Sequence, residues 1–261
     1  MSGDTDQSMD VLDPSGKVCG RYHFDGLPKS PKPFYKSYFN GLYTPKGCNI
    51  AAPQPPDHPH HKGLQYGLCA KDVNFWEEDK AREPKDRQLR IGTQFTKVVE
   101  WFDTGFSQDI IWQEDDCVTF LETRNVSVKP TTSGHVWTWQ TTLTAQRDVD
   151  LIVSVWDINP GYYGLGLRLA PELFLNQSKV TRIPASGGGV QRVTVQGTKA
   201  VLTFEQDTTS QQDVLYIHGC EHGGGEEFAF VSIGPTNGGG LTVKKGSELK
   251  RSYRITVADV T

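Results

Sequence analysis

A single all-β domain, built as one large antiparallel β-sandwich, is predicted by three features of the sequence. From Leu89 onward, apolar residues recur with a period of two almost without pause. The segments so marked are short, and Gly, Asn and Asp separate them at intervals of roughly ten or twelve residues. No stretch carries a helical stripe over three turns.

Residues 1–10 read as a polar tail. Val11-Leu12, the turn Asp13-Pro14-Ser15-Gly16 and residues 17–24 predict a hairpin, because proline and glycine stand where a tight turn places them. Pro28, Pro31 and Pro33 exclude helix and lead into the aromatic run 33–39, which alternates as a strand does. Thr44-Pro45-Lys46-Gly47 is a second turn. Residues 77–90 are dense in charge and contain Pro84, so they read as a solvated excursion with one helical turn.

Further on, Val118, Phe120, Glu122, Arg124, Val126 and Val128 share one face of a strand. Trp137, Trp139, Thr141, Leu143 and Ala145 share a face of the next, and Leu151, Val153 and Val155 continue the pattern. Residues 164–169 form another strand, whose glycines permit close backbone approach. Shorter strands fit residues 191–196, 200–205, 214–218 and 228–233, and the last runs over 249–257. No Pro/Ser-rich linker and no repeat of fixed period divides the chain, so residues 11–261 are read as one domain.

The composition narrows the function classes. With 27 basic and 31 acidic residues the net charge is −4, which argues against nucleic acid or an anionic membrane as partner. No run of about 18 apolar residues suggests a membrane helix. The acidic, polar start lacks the basic head and apolar stretch of a signal peptide, so a cytoplasmic protein is expected. Cys19, Cys48, Cys69, Cys117 and Cys220 are scattered with no CxxC pair. They read as reduced thiols packed like small hydrophobes, rather than as a disulfide framework or a cysteine zinc site.

Chemistry is most concentrated in Pro55-Pro56-Asp57-His58-Pro59-His60-His61-Lys62-Gly63-Leu64. Three of the seven histidines fall within four positions here, on a segment that proline and glycine keep from being helical. Drawn as a strand, His58 and His60 would share one side and His61 the other. Such imidazoles serve as general bases near neutral pH or as metal ligands.

The segment 56–64, followed by Val73-Asn74-Phe75-Trp76, resembles the soluble β-rich family labelled methane oxygenase PmoA, whose members carry a D-H-P-H-H-[RK]-G-L loop and a nearby G-V-[DN]-F-W. Trp139-Gln140-Thr141-Thr142-Leu143-Thr144-Ala145 and Gly164-Leu165-Gly166-Leu167-Arg168-Leu169-Ala170 fit two further strands of that family in order. Lys245-Gly246-Ser247-Glu248-Leu249 with Tyr253-Arg254-Ile255 fits its closing strand. The resemblance covers roughly residues 33–172 and 241–259. Residues 176–240 depart from it, with Ile217-His218-Gly219-Cys220-Glu221-His222 and three glycine runs in place of the usual motifs. What the resemblance implies is a mutarotase-like supersandwich and a carbohydrate-type ligand.

Metal-free proton transfer needs a base, a donor and a group that holds negative charge. His58, His60 and His61 are the candidate bases, with Lys62 and Arg168 as the cations. Asp57, Tyr66, Asn74, Phe75, Trp76, Trp139, His218, Glu221 and His222 are the candidate substrate-binding residues. No resident cofactor is expected. Were a divalent transition metal held instead, His58, His60, His218 and His222 would supply the ligands. No dinucleotide, Walker or nucleophile-elbow motif is present. The expectation is therefore an enzyme that uses histidine acid–base chemistry on a sugar-like or polyoxygenated small molecule, as an epimerase, lyase or cyclase. The alternatives are a metal-dependent oxygenase and a non-catalytic ligand-binding sandwich.

Overall fold

The computed structural model describes residues 6–25, 35–79, 85, 88–153, 162–184, 190–206, 213–221, 225–236 and 240–261. Two large antiparallel sheets make up the fold. With strands numbered in chain order, the seven-stranded sheet holds β1 (Asp6–Leu12), β2 (Val18–Asp25), β3 (Tyr38–Leu42), β4 (Leu64–Gly67), β12 (Gly164–Leu169), β17 (Ala229–Gly234) and β16 (Val214–His218), side by side in that order. The eight-stranded sheet runs β13 (Lys179–Pro184), β14 (Val190–Gln196), β15 (Ala200–Gln206), β19 (Glu248–Asp259), β10 (Gly134–Ala145), β9 (Cys117–Thr131), β8 (Gly105–Glu114) and β7 (Thr93–Phe102). Two small pairings, parallel β5 (Val73–Asn74) with β6 (Arg90–Ile91) and antiparallel β11 (Val149–Leu151) with β18 (Leu241–Val243), finish the strands among the described residues. The one described helix, α1 (Pro171–Phe174), is a single turn. No described helix is long and apolar enough to cross a membrane. The large antiparallel β-sandwich is the fold the alternation predicts.

The two sheets treat their faces differently. Strand β9 buries alternate residues and exposes most of those between, and β10 alternates buried with mostly half-buried residues, so the outer face of the eight-stranded sheet is wetter than its inner one. In contrast, β4, β12 and β17 are buried at every position. Leu165, Leu167 and Leu169 join the inter-sheet core, with Val231, Ile233, Phe120, Trp137, Trp139, Ile255 and Val257. Their neighbours Gly166 and Arg168 therefore point to the other side, where a second aromatic cluster forms around Trp76, Tyr162, Tyr163, Tyr216 and Phe230. A Cβ on Gly166 would stand 2.6 Å from Trp76 Cη2 and 2.7 Å from Phe230 Cζ, so glycine is what lets this roof settle on the strand.

Some expectations are corrected. Strand β1 takes in Asp6–Asp10, read as tail, because hairpin pairing such as Gln7 with Phe24 uses the backbone and leaves residues 7–10 exposed. The Asp13–Gly16 turn forms as predicted, with the Asp13 carboxylate accepting the backbone N–H of Ser15 at 2.8 Å and of Lys17 at 3.0 Å. The aromatic run yields a strand only from Tyr38, and Phe34 lies outside the described residues. Glu77 is buried and Glu78 half-buried rather than solvated, because His60 receives the one and Lys36 and Lys62 the other. The helical turn expected over 77–90 falls largely outside the described residues, as does Val155. Strand β13 escaped prediction because its described side chains are largely exposed and carry no alternation.

Candidate active site

The histidine loop is two consecutive tight turns rather than a strand. The N–H of His58 donates to the Pro55 carbonyl at 3.1 Å, and that of His61 donates to the His58 carbonyl at 2.9 Å. Gln54 N–H closes the loop on the His61 carbonyl at 2.8 Å. Turn geometry therefore stacks His58 on His61, with centroids 4.9 Å apart and planes at 11°, and sets His60 edge-on to both. The predicted pairing of His58 with His60 on one side does not form, since a strand's period does not apply across turns. Gly63 leaves the loop at φ +91, and a Cβ there would meet the Phe39 carbonyl oxygen at 2.1 Å.

His61 is the buried centre. Arg168, on β12, donates from Nη1 to its Nδ1 at 3.3 Å, and arginine has no acceptor. His61 Nε2 therefore carries the hydrogen and donates to the Tyr162 hydroxyl at 3.0 Å. Its ring also stacks on Phe230, 4.7 Å away. Burial, reinforced by His60, His58, Arg168 and Lys36, drives the His61 pKa well below the ordinary 6.5, so the ring is neutral.

Asp57 and His58 sit at the accessible rim. Asp57 Oδ2 accepts Arg168 Nη2 at 2.6 Å and His58 Nδ1 at 2.8 Å. Burial resists ionisation of Asp57, but the hydrogen bonds from Arg168 and His58 outweigh it and hold the carboxyl below its ordinary range. With Nδ1 engaged, Nε2 is the nitrogen His58 has left for proton exchange, on a side chain 28% exposed. Arg168 is only 4% exposed and lies over the Phe228 ring at 4.4 Å; its burial lowers its pKa against the pull of Asp57.

Phe228 is a hub, in contact with His58 (4.5 Å) on one side and His218 (4.4 Å) on the other. His218, from β16, has Nε2 3.0 Å from Glu226 Oε2 and Nδ1 3.2 Å from the Tyr216 hydroxyl. Burial lowers its pKa, with Glu226 opposing. Beneath, His60 Nδ1 lies 3.0 Å from Glu77 Oε2, and its Nε2 is buried without a hydrogen-bond partner. Burial lowers the His60 pKa against Glu77. Lys62 and the buried Lys36 both pair with Glu78, at 2.8 and 3.3 Å. Lys36 also donates to the Trp76 carbonyl.

Asp57, His58, His60, His61, Lys62, Trp76, Arg168 and His218 are thus brought to one face. Asn74 supports them, its Oδ1 accepting the N–H of Trp76 at 2.8 Å and of Glu77 at 3.0 Å. Other predicted residues are elsewhere. Tyr66, Phe75 and Trp139 pack in the inter-sheet core, because strand alternation and the turn after Asn74 send them inward. Glu221 is exposed and binds Arg182 at 2.6 Å, and His222 lies outside the described residues. Lys62 and Arg168 are committed to carboxylates rather than left open as anion holders. The metal set expected of His58, His60 and His218 does not converge among the described residues, because Phe228 stands between His58 and His218. The sequence reading missed Lys36, Glu77, Glu78, Tyr162, Tyr216, Glu226, Phe228 and Phe230. The two-residue steps Tyr216–His218 and Phe228–Phe230 were the available signal.

Fold and site together define an all-β sandwich with a carboxylate-oriented histidine at the rim of one covered sheet face. The chain belongs to the family of unknown function DUF6807, which it matches over residues 11–261. No curated protein matches it. Similar solved structures include an alpha-galactosidase from Lactobacillus brevis, with TM-score 0.48, 8% identity, and coverage of 99% of this chain and 40% of that one. A heparan sulfate lyase HepC mutant from Pedobacter heparinus has TM-score 0.46, 6% identity, and coverage of 93% and 34%. A galactose mutarotase related enzyme from Lactobacillus acidophilus has TM-score 0.39, 9% identity, and coverage of 98% and 97%. This chain spans two fifths or less of the length of the first two. At such identities the likeness concerns fold alone.

Proposed function

We propose that this protein is an enzyme that moves a proton on a sugar-like or polyoxygenated small molecule, with His58 as the general acid–base. The observation that carries the reading is the chain Arg168–Asp57–His58. A carboxylate fixed at 2.6 Å by a buried guanidinium holds His58 Nδ1 at 2.8 Å and leaves Nε2 for proton transfer. Asp57 selects the tautomer and stabilises the imidazolium that proton abstraction produces. His61 cannot share this role, since it is fully enclosed and held neutral by burial, whereas the His218 side chain is 24% exposed. His61 positions Arg168 instead. His218, oriented by Glu226 across Phe228, supplies the second proton-transfer group that an epimerase or lyase needs. The carbohydrate class is supported by the resemblance of the 56–64 loop and by the half-buried Phe228 ring between His58 and His218.

The test is hydrogen exchange. The protein is incubated in D2O with a panel of aldoses, ketoses and their lactones, and deuterium entering carbon is followed by NMR. Wild type washes deuterium into one position of its substrate. His58→Asn slows this by about 10²–10⁴-fold while the circular dichroism stays unchanged. Exchange that survives His58→Asn rules out His58 as the base, and tight sugar binding without exchange supports a binding module.

A further inference from the structure

We propose that Asp13, Cys19 and His135 form a divalent-metal site, suited to Zn²⁺, that clips the β1–β2 hairpin onto the eight-stranded sheet. One ligand atom from each residue lies within 4.8 Å of the other two, and no other His, Cys, Asp or Glu group among the described residues achieves this. The site is remote in sequence and in role from the histidine loop. Asp13 and Cys19 belong to the hairpin and His135 to β10, so a bound ion would join the two sheets directly.

Each ligand is already oriented. His135 is 2% exposed and donates from Nδ1 to the Tyr43 carbonyl at 2.7 Å, which leaves Nε2 as the nitrogen with a lone pair for a metal. Asp13 Oδ1 accepts Ser15 N, Ser15 Oγ and Lys17 N at 2.8, 2.6 and 3.0 Å, so its carboxylate cannot rotate freely. Cys19 is fully enclosed; its Sγ makes a long 3.7 Å contact to the Lys17 carbonyl and takes a backbone hydrogen bond at Asp13. The nearby cation, Lys17, is engaged by the Pro45 carbonyl.

The chemistry is balanced. One thiolate, one carboxylate and one neutral imidazole cancel the 2+ charge, and binding releases the Cys19 thiol proton to solvent. A mixed S, N, O donor set favours Zn²⁺ over Mg²⁺ or Ca²⁺ and leaves a fourth position to water. Without metal, burial and the adjacent Asp13 push the Cys19 thiol up to about 11, so it stays protonated. Complete burial also argues against Cys19 acting as a nucleophile on an external substrate.

Co²⁺ titration of the chelator-treated full-length protein tests the site, because a cysteine thiolate bound to Co²⁺ gives a near-ultraviolet charge-transfer band. Wild type should show that band, saturating at one equivalent and bleached by Zn²⁺, and Zn²⁺ should raise its Tm. Cys19→Ser should lose the band. Asp13→Asn, a milder change at a less buried ligand, should weaken Co²⁺ affinity about tenfold or more. Absence of the band from folded wild type, or its survival in Cys19→Ser through another cysteine, overturns the proposal. If Cys19→Ser does not fold, unchanged Co²⁺ affinity in Asp13→Asn does the same.

Discussion

His61 shows how burial converts a titratable side chain into a structural one. Enclosed between His58, Phe230 and Arg168, it refuses a proton that the unfolded chain, with an ordinary histidine pKa of 6.5, accepts. The folded pKa is depressed, so its contribution to stability is complete above about pH 6.5 and is lost as pH falls below that value. His60 and His218 are shifted the same way and add to the slope. Asp57 titrates below this window, since its partners hold it down. We expect Tm to fall between pH 7.5 and pH 5.5, with each excluded proton worth about 1.4 kcal/mol per pH unit below 6.5. His61→Gln keeps an acceptor for Arg168 and a donor for Tyr162 but cannot titrate, so thermal melts should show a shallower dependence. An unchanged slope would remove His61 from the account.

At the scale of the loop, two glycines of nearly equal backbone angle should respond very differently. Gly47, φ +89, has no atom within 4 Å of a built Cβ, whereas Gly63, φ +91, has the Phe39 carbonyl oxygen at 2.1 Å. Gly47→Ala should cost only the left-handed strain of about 1–2 kcal/mol. Gly63→Ala must also displace backbone of β3, and should cost about 1–3 kcal/mol more while weakening any activity of the adjoining histidine loop. Urea denaturation of the pair measures the difference, and equal costs would show that Phe39 gives way freely. Period-two alternation made most strands legible here, because it directly records which face is buried. The histidine loop was legible as a place but not as a shape, since turn geometry, not alternation, stacks His58 on His61. Glu77 and Glu78 were misread because a charge run looks solvated until Lys36, His60 and Lys62 are seen to receive it. Tyr66 and Trp139 were assigned to the site by chemistry alone, and one step of strand parity sent them to the core.

Across the whole molecule, the two sheets are joined by a polar knot as well as by hydrophobic contact. Arg124 and Glu122 on β9 are both fully buried and pair at 2.8 Å. Glu122 also accepts Trp112 Nε1 and Thr141 Oγ1, each at 2.7 Å. Arg124 crosses the core to the Tyr22 hydroxyl on β2 at 3.0 Å and lies over the Trp139 ring at 4.8 Å. Every member therefore depends on the charge balance between residues 122 and 124. Removing one partner leaves an ion stranded in the core, and Glu122→Gln or Arg124→Met alone should destabilise by about 3–5 kcal/mol. The double variant strands no ion, so its loss should be well below the sum of the single losses. A double-mutant cycle from chemical denaturation reads this coupling. Additive losses would mean that the pair contributes nothing beyond its separate contacts, and that apolar packing alone aligns the sheet bearing the histidine loop with the sheet behind it.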